Sequence, residues 1–160
     1  MDAWEIRAAA EWDLPQLDAA LASLSREIGD PHRTGVEELG RALFGMPALA
    51  SAMVADGAHS LAGAVLFTPV FSTVRGGAGV FVSDLWVDEA MRGGGLGGAL
   101  LGGAAKAAAT LWGAHFLRLS VHDANARARG LYERLGFTPV TGETAMVVTG
   151  PAYEQLRRTT

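Results

Sequence analysis

The sequence predicts a mixed α/β fold, α+β in the order of its parts. Its centre is a mostly antiparallel sheet of about six to seven strands flanked by helices. Three observations point there. Residues 49–87 hold apolar runs separated by Asp56-Gly57 and by Arg75-Gly76-Gly77, which is how antiparallel hairpins read. Leu14, Leu17, Ala20, Leu21 and Leu24 recur at helical spacing. A glycine cluster then joins a strand-like run to an alanine- and leucine-rich stretch over 96–112.

The elements follow in chain order. Residues 3–9 are expected to form a first strand. Asp13-Leu14-Pro15 reads as a helix start, with Asp as cap and Pro in the first turn. Gly29-Asp30-Pro31 ends that helix. Residues 35–44 form a second, short helix that stops at Gly45-Met46-Pro47. Residues 49–55, 61–74 and 79–87 give three antiparallel strands. Residues 96–112 form a helix in which Gly97, Gly98, Gly102 and Gly103 each cost about 1 kcal/mol relative to Ala. Close approach of the sheet is expected to offset that cost. Residues 115–121 give a strand, 125–135 a helix capped by Asn125, and 145–149 a last strand. Trp4, Trp12 and Trp112 read as packing residues. No repeat or low-complexity linker divides the chain, so residues 1–160 are expected to form one domain.

Composition narrows the function classes. With 49% hydrophobic and 19% charged residues among 160, the chain can bury a core and is not disordered. It has no cysteine, which excludes disulfides and thiolate chemistry and suits a cytoplasmic protein. Met1–Glu5 lacks the basic and apolar regions of a signal peptide. No apolar run is long enough to span a bilayer. The net charge of −4 argues against binding nucleic acid through phosphates and mildly favours a cationic substrate. His32, His59, His115 and His122 have no metal-ligand spacing, so no metal is expected.

The stretch Val87-Asp88-Glu89-Ala90-Met91-Arg92-Gly93-Gly94-Gly95-Leu96-Gly97-Gly98 carries the functional signal. Glycines at a strand-to-helix junction let backbone N–H groups turn inward, next to the positive end of the helix dipole. A pyrophosphate suits such a cradle. A nucleoside-triphosphate loop is excluded, because no Gly-Lys-Ser/Thr follows. A dinucleotide fingerprint matches literally in Gly93-x-Gly95-x-x-Gly98. It should follow its strand directly, however, and belong to several βαβ units, whereas Asp88–Arg92 intervene and only one unit is visible. The third reading is Arg-x-x-Gly-x-Gly, filled by Arg92-Gly93-Gly94-Gly95-Leu96-Gly97. This resembles the acetyl-CoA loop of the GCN5-related N-acetyltransferases. Ser83-Asp84-Leu85-Trp86-Val87 resembles that family's fourth strand. The segment from Asn125 through Tyr132 to Gly136-Phe137 resembles its Asn…Tyr-x-x-x-Gly-Phe segment. The three agree in order and spacing over residues 80–148, about half the chain.

The resemblance implies the acyl-CoA N-acyltransferase fold and transfer of an acetyl group from acetyl-CoA, the co-substrate, to a primary amine. The expected acceptor is a small amine or amino acid, with a peptide or protein N-terminus as the next choice. Gly93, Gly94, Gly95, Leu96, Gly97 and Gly98, with Arg92, would hold the pyrophosphate, mainly through backbone N–H groups. Leu85, Trp86 and Val87 would pair with the pantetheine arm like an added strand. Asn125 would cap its helix and touch the cofactor. Tyr132 is the implied general acid. Its normal pKa of about 10 exceeds a thiol's 8.5 or so, which puts full proton transfer roughly 2 kcal/mol uphill. A hydrogen bond to the thiolate is then the smaller demand.

The base is open. Many relatives carry glutamate at the position of Ser83, and serine is no base at neutral pH. Asp84 adjoins it, but neighbouring strand side chains point to opposite faces unless a bulge re-aims one. Glu27, Asp30 and Glu37 are further acids near the N-terminal helices. His122 lies near the Asn125 segment and His32 between the first two helices; both read first as loop histidines. Parity alone does not settle whether Trp86 faces the pocket or the core. A CoA-binding regulatory module without chemistry is the other class, favoured by Ser83. A nicotinamide-binding protein is the third. Turnover of acetyl-CoA over an amine panel separates them. No nucleic-acid or membrane partner is expected, and a homodimer is left open.

Overall fold

The computed structural model describes residues 4–159; Met1–Ala3, including the start of the expected first strand, lie outside them. Five strands form one sheet in the order β1-β2-β3-β4-β5: β1 Glu5–Ala8, β2 Ser51–Asp56, β3 Leu61–Ser72, β4 Gly77–Val87 and β5 Leu117–Leu119. The first four pair antiparallel, and β5 runs parallel to β4 at Val80–Val82. The helices are α1 Leu14–Ile28, α2 Val36–Phe44, α3 Leu96–Trp112, α4 Ala126–Arg134 and α5 Gly150–Arg157. None of the described helices is long and apolar enough to cross a membrane.

The sheet separates two apolar layers. On one face Val65, Phe67, Val80 and Val82 pack under Leu96, Leu100, Leu101, Ala104 and Ala108 of α3. On the other, Val54, Leu61 and Ala64 pack against Leu17 and Leu21 of α1 and Leu39 and Leu43 of α2. Close approach of α3 requires small residues. A Cβ on Gly63 of β3 would stand 2.8 Å from Leu100 Cδ1, and one on Gly103 would stand 3.3 Å from Ile6 Cγ2. These contacts agree with the expected packing of a glycine-rich helix. Gly102 differs, since a Cβ there would meet nothing within 4 Å.

Arg7 ties the N-terminal half together. Its guanidinium donates to Asp13 at 2.7 and 2.9 Å and to Asp56 at 2.7 and 2.8 Å. Asp13 is buried and also accepts from the Ala10 N–H at 2.8 Å. It stands at the start of α1, but no side-chain bond caps that helix. The expected cap is corrected: both carboxylate oxygens are taken by the bidentate Arg7 guanidinium, one of them also by the Ala10 N–H, and this turns the carboxylate away from the first amides of α1. With Asp13 pointing inward, Trp12 points out and is 77% exposed, against its expected packing role. Trp4 and Trp112 do pack on the α3 side.

Two expectations at the C-terminal end also change. The expected strand over 115–121 pairs only at Leu117–Leu119. The last strand expected over 145–149 is absent: these residues pair with no described strand, and α5 follows with Pro151 in its first turn. Among the described residues the sheet therefore has five strands rather than six or seven. A strand needs a neighbour to satisfy its backbone groups, whatever its side-chain pattern.

Candidate active site

A one-residue bulge shapes the end of β4. Leu66 pairs with Asp84 and Phe67 with Val82, so Ser83 is the extra residue, its hydroxyl donating to the Leu66 carbonyl at 3.3 Å. Before the bulge, Val80 and Val82 face α3; beyond it, Leu85 and Val87 do. Trp86 packs with the α1–α2 layer, and alternation puts Asp84 on that same face. The bulge thus re-aims both residues, which parity along an unbroken strand would have placed with Val80 and Val82.

The same end of β4 offers unpaired backbone. The Asp88 N–H donates to the Ala62 carbonyl at 2.9 Å, which fixes the antiparallel alternation. Trp86 and Asp84 therefore bond toward β3, while Leu85 and Val87 turn their N–H and C=O groups to the side of β5. Since β5 pairs only at Val80–Val82, that edge is open from the bulge onward. The Val87 carbonyl is taken by Arg92 Nε at 3.0 Å, and Arg92 Nη2 donates to Glu27 Oε2 at 2.6 Å. Arg92 thereby clasps the end of α1 to the end of β4. That role differs from both a free phosphate ligand and a surface arginine.

A cleft of about 750 Å³ opens between this edge, the α1 end, the glycine turn and α4. Of the residues expected at the site, Leu85, Trp86, Val87, Arg92, Gly93, Gly95, Leu96, Gly97, Asn125 and Tyr132 line it; Asp84, Gly94 and Gly98 do not. Gly93 and Gly95 have φ of +82° and +84°, the left-handed region that side chains disfavour. The turn leads directly into α3, whose first N–H groups have no helical partner. A Cβ on Gly97 would stand 3.1 Å from Leu131 Cδ2, so that glycine lets α4 close on α3. Asn125 caps α4 as expected, Oδ1 accepting from the Ala128 N–H at 3.1 Å.

Tyr132 sits on α4 against Phe137, with ring centroids 5.5 Å apart. Burial raises its phenol pKa above the ordinary 10. The hydroxyl stays protonated at neutral pH and is a weaker acid than a free tyrosine. The indole Nε1 of Trp86 is buried without a hydrogen-bond partner among the described residues.

The acids named from sequence are largely engaged. Glu27 holds Arg92, Asp30 accepts from His122 Nε2 at 2.9 Å, and Glu37 accepts from Arg41 at 2.7 Å. His122 lines the cleft; His32 does not, and contacts Asp18 at 2.9 Å. Sequence reasoning missed Leu24 and Ile28 of α1, and Arg127, Leu131 and Arg134 of α4, all on the cleft wall. The helical spacing of Arg127, Leu131 and Arg134 around Tyr132 was a usable signal, since positions three or four apart share a face. Leu24 and Ile28 gave no such signal, because α1 meets the site only in three dimensions.

The comparisons with known proteins agree with this geometry. The model of the acetyltransferase (GNAT) family matches residues 17–137. An integron cassette protein from the mobile metagenome of V. cholerae superposes with a TM-score of 0.77 at 18% identity, covering 99% of this chain and 100% of that one. The ribosomal-protein-alanine N-acetyltransferase of Brucella melitensis biovar Abortus 2308 gives 0.73 at 23% identity, with 92% and 100% covered. An integron cassette protein from the mobile metagenome of Cole Harbour Salt Marsh gives 0.72 at 27% identity, with 92% and 93% covered. No curated protein shows a significant sequence match. The family match spans the bulged strand, the glycine turn and the tyrosine helix that together wall the cleft, and this chain belongs to the GNAT family of acetyltransferases.

Proposed function

We propose that residues 1–160 form one acetyl-CoA-dependent N-acetyltransferase domain whose acceptor is a small primary amine or amino acid. One observation carries this reading: the open edge at Leu85 and Val87, the positive-φ glycine turn and Tyr132 all face one cleft. Acetyl-CoA supplies an activated acetyl group as a thioester. The chain's own groups position it. The turn Gly93–Gly97 and the N-terminus of α3 receive the pyrophosphate. Arg127 and Arg134, which have no ion-pair partner among the described residues, add positive field there. Arg92 shapes the turn. The outward N–H groups of Leu85 and Val87 hold the pantetheine arm, one of them near the thioester oxygen. Asn125 fixes α4 and therefore Tyr132.

Tyr132 donates a hydrogen bond to the departing sulfur. Its raised pKa makes full proton transfer still less favourable than for a free phenol, so stabilisation of the thiolate is its contribution. The incoming ammonium must lose a proton. Among the described residues Glu27 is the one acid that lines the cleft, and it is bound to Arg92; Asp84, which does not line the cleft but shares a face with Trp86, serves by anchoring a water that takes the proton. A second reading keeps the chemistry and changes the acceptor to a protein or peptide N-terminus; the Brucella neighbour is named for a ribosomal-protein alanine.

The test is acetyl-CoA turnover over a panel of small amines, amino acids and peptides, with free thiol detected. Turnover with a small amine is the expected result, and turnover with peptides alone selects the second reading. CoA should also raise the Tm, as any ligand specific to the native state must. CoA binding without thiol release from any acceptor would leave a regulatory module. A Tm shift with NAD and none with millimolar CoA would overturn the assignment.

A further inference from the structure

Helix α1 carries an apolar stripe that outruns the core. Leu14, Leu17, Leu21, Leu24 and Ile28 recur three and four residues apart and so share one face. The first three pack in the layer that α1 and α2 form against the sheet. Leu24 and Ile28 belong to neither apolar layer. They are half-buried and stand on the cleft wall. Trp86 stands on that wall too, and its packing is with the α1–α2 layer. Two aliphatic side chains and an indole give this part of the cleft an apolar surface of the kind that takes a small ligand.

That surface lies on the acceptor's side. The sheet has α3 on one face and α1 on the other. The glycine turn leads into α3, and α4 closes on α3 at Gly97. The cradle for the cofactor therefore belongs to the α3 face. An amine reaches the thioester past the α1 face, where Leu24, Ile28 and Trp86 stand. The charges sort the same way. Arg92, Arg127, Arg134 and His122 are the basic side chains on the cleft wall. Arg127 and Arg134 are on α4. Arg92 is bound to Glu27 and the Val87 carbonyl, and His122 to Asp30. Among the described residues the α1 side thus offers a carboxylate, Glu27, and no unengaged cation.

We propose that the acceptor is a primary amine with an apolar body and no carboxylate, and that Leu24 and Ile28 read that body. The inference rests on the acetyl-transfer reading and narrows its acceptor. The amine nitrogen bonds to the acetyl carbon as the C–S bond breaks. The electron pair leaves on sulfur, and the ammonium proton goes to the water held by Asp84. The product is an N-substituted acetamide. Burial of the body against the apolar surface drives binding. An α-carboxylate would meet Glu27 and give up its water with no cation in return. An amino acid is then a poor acceptor because of its charge rather than its size.

Rates of thiol release from acetyl-CoA test this with the unaltered protein. The acceptors are 3-methylbutylamine, ethylamine, leucine and leucinamide, with rates corrected for the fraction of free amine. Loss of the body should lower kcat/KM about tenfold or more from 3-methylbutylamine to ethylamine. Leucine should fall about 100-fold below 3-methylbutylamine. Leucinamide keeps leucine's size without its charge and should recover most of that loss. Combined Leu24→Ala and Ile28→Ala substitutions should raise KM for 3-methylbutylamine about tenfold. Its kcat, the CoA affinity and the KM for ethylamine should stay near normal, whereas general damage to the fold would move all of them together. The ranking of acceptors needs no variant, so it decides the matter even where the double substitution fails to fold. Leucine at or above 3-methylbutylamine, ethylamine used equally well, or an unchanged KM in the folded variant would each overturn this acceptor class and leave acetyl transfer standing. Thiol release with none of the four also overturns the class. Release with peptides would then keep acetyl transfer, and release with no acceptor at all would overturn both.

Discussion

β4 is one strand with two different halves. Val80 and Val82 are buried between β3, β5 and α3 and have strands on both sides. Leu85, Trp86 and Val87 are half-buried, keep β3 on one side and have no strand on the other. One inserted residue, Ser83, divides them. The first half is held by packing, and its backbone is satisfied within the sheet. The second half keeps its side chains in two apolar layers while its backbone edge stays available. The difference shows how a sheet can leave a backbone edge open without losing core. Side chains secure the strand, the bulge sets their faces, and the short β5 leaves donors and acceptors exposed.

The largest expected effect lies in the first half. Phe67, paired with Val82 and 1% exposed, should lose about 3–5 kcal/mol of stability on Phe67→Ala. Urea unfolding measures it, and a loss below 1 kcal/mol would mean that the core collapses around the gap. CoA affinity at temperatures where the variant is folded should be nearly unchanged.

Tyr132→Phe reverses that pattern. It keeps the ring against Phe137 and removes the hydroxyl, so stability and CoA affinity should stay close to normal. We expect kcat to fall about 100-fold, the low end of general acid–base effects. An unchanged kcat where chemistry limits turnover would reduce Tyr132 to packing. The variant also carries a pH signature. Burial holds the Tyr132 pKa above 10, so its contribution to stability is full below the unfolded value and is lost as pH rises through the folded one. The phenylalanine variant should lack that alkaline loss.

Gly95→Val should cost about 1–2 kcal/mol at the turn, because its φ of +84° disfavours a side chain. The readout is CoA affinity, expected to weaken about tenfold or more, with Arg92→Ala weaker in effect because backbone groups dominate the cradle. Wild-type affinity in a folded Gly95→Val protein would remove the phosphate role of the turn.

The smallest effect is far from the cleft. The Arg7 guanidinium holds the Asp13 carboxyl below its ordinary 3.8. A depressed carboxyl pKa stabilises the fold above the unfolded value, and that stability disappears as pH falls through the folded one. Thermal melts from pH 5 downward should therefore show an acid loss that Asp13→Asn lacks. Identical acid profiles would mean that Arg7 does not hold Asp13 in solution.

Much of the molecule was legible in the sequence because the signals were local. The helix over 96–112 and the Asn125 cap follow from residues within a turn of one another, and so do the positive-φ glycines. The hairpins of residues 49–87 follow from turn residues and alternation. The errors have one cause, which is that each needed a partner remote in sequence. Asp13 looked like a cap because Arg7 and Asp56 were not known to converge on it. Trp12 looked buried because its neighbour's inward turn was invisible. Residues 145–149 looked like a strand because their side chains suit one, although strand formation depends on a neighbour's backbone.

At the site, the sequence by itself determined the glycine turn, the tyrosine helix and the strand that meets them, through residue types that only certain backbones tolerate. The tertiary structure alone decided which face Asp84 and Trp86 occupy, that Arg92 is bound between Glu27 and the Val87 carbonyl, and that α1 supplies a wall of the cleft. Those outcomes depend on a one-residue change of register and on contacts as distant as 65 positions. A bulge reverses the parity of every residue beyond it, and no local pattern records where that reversal occurs.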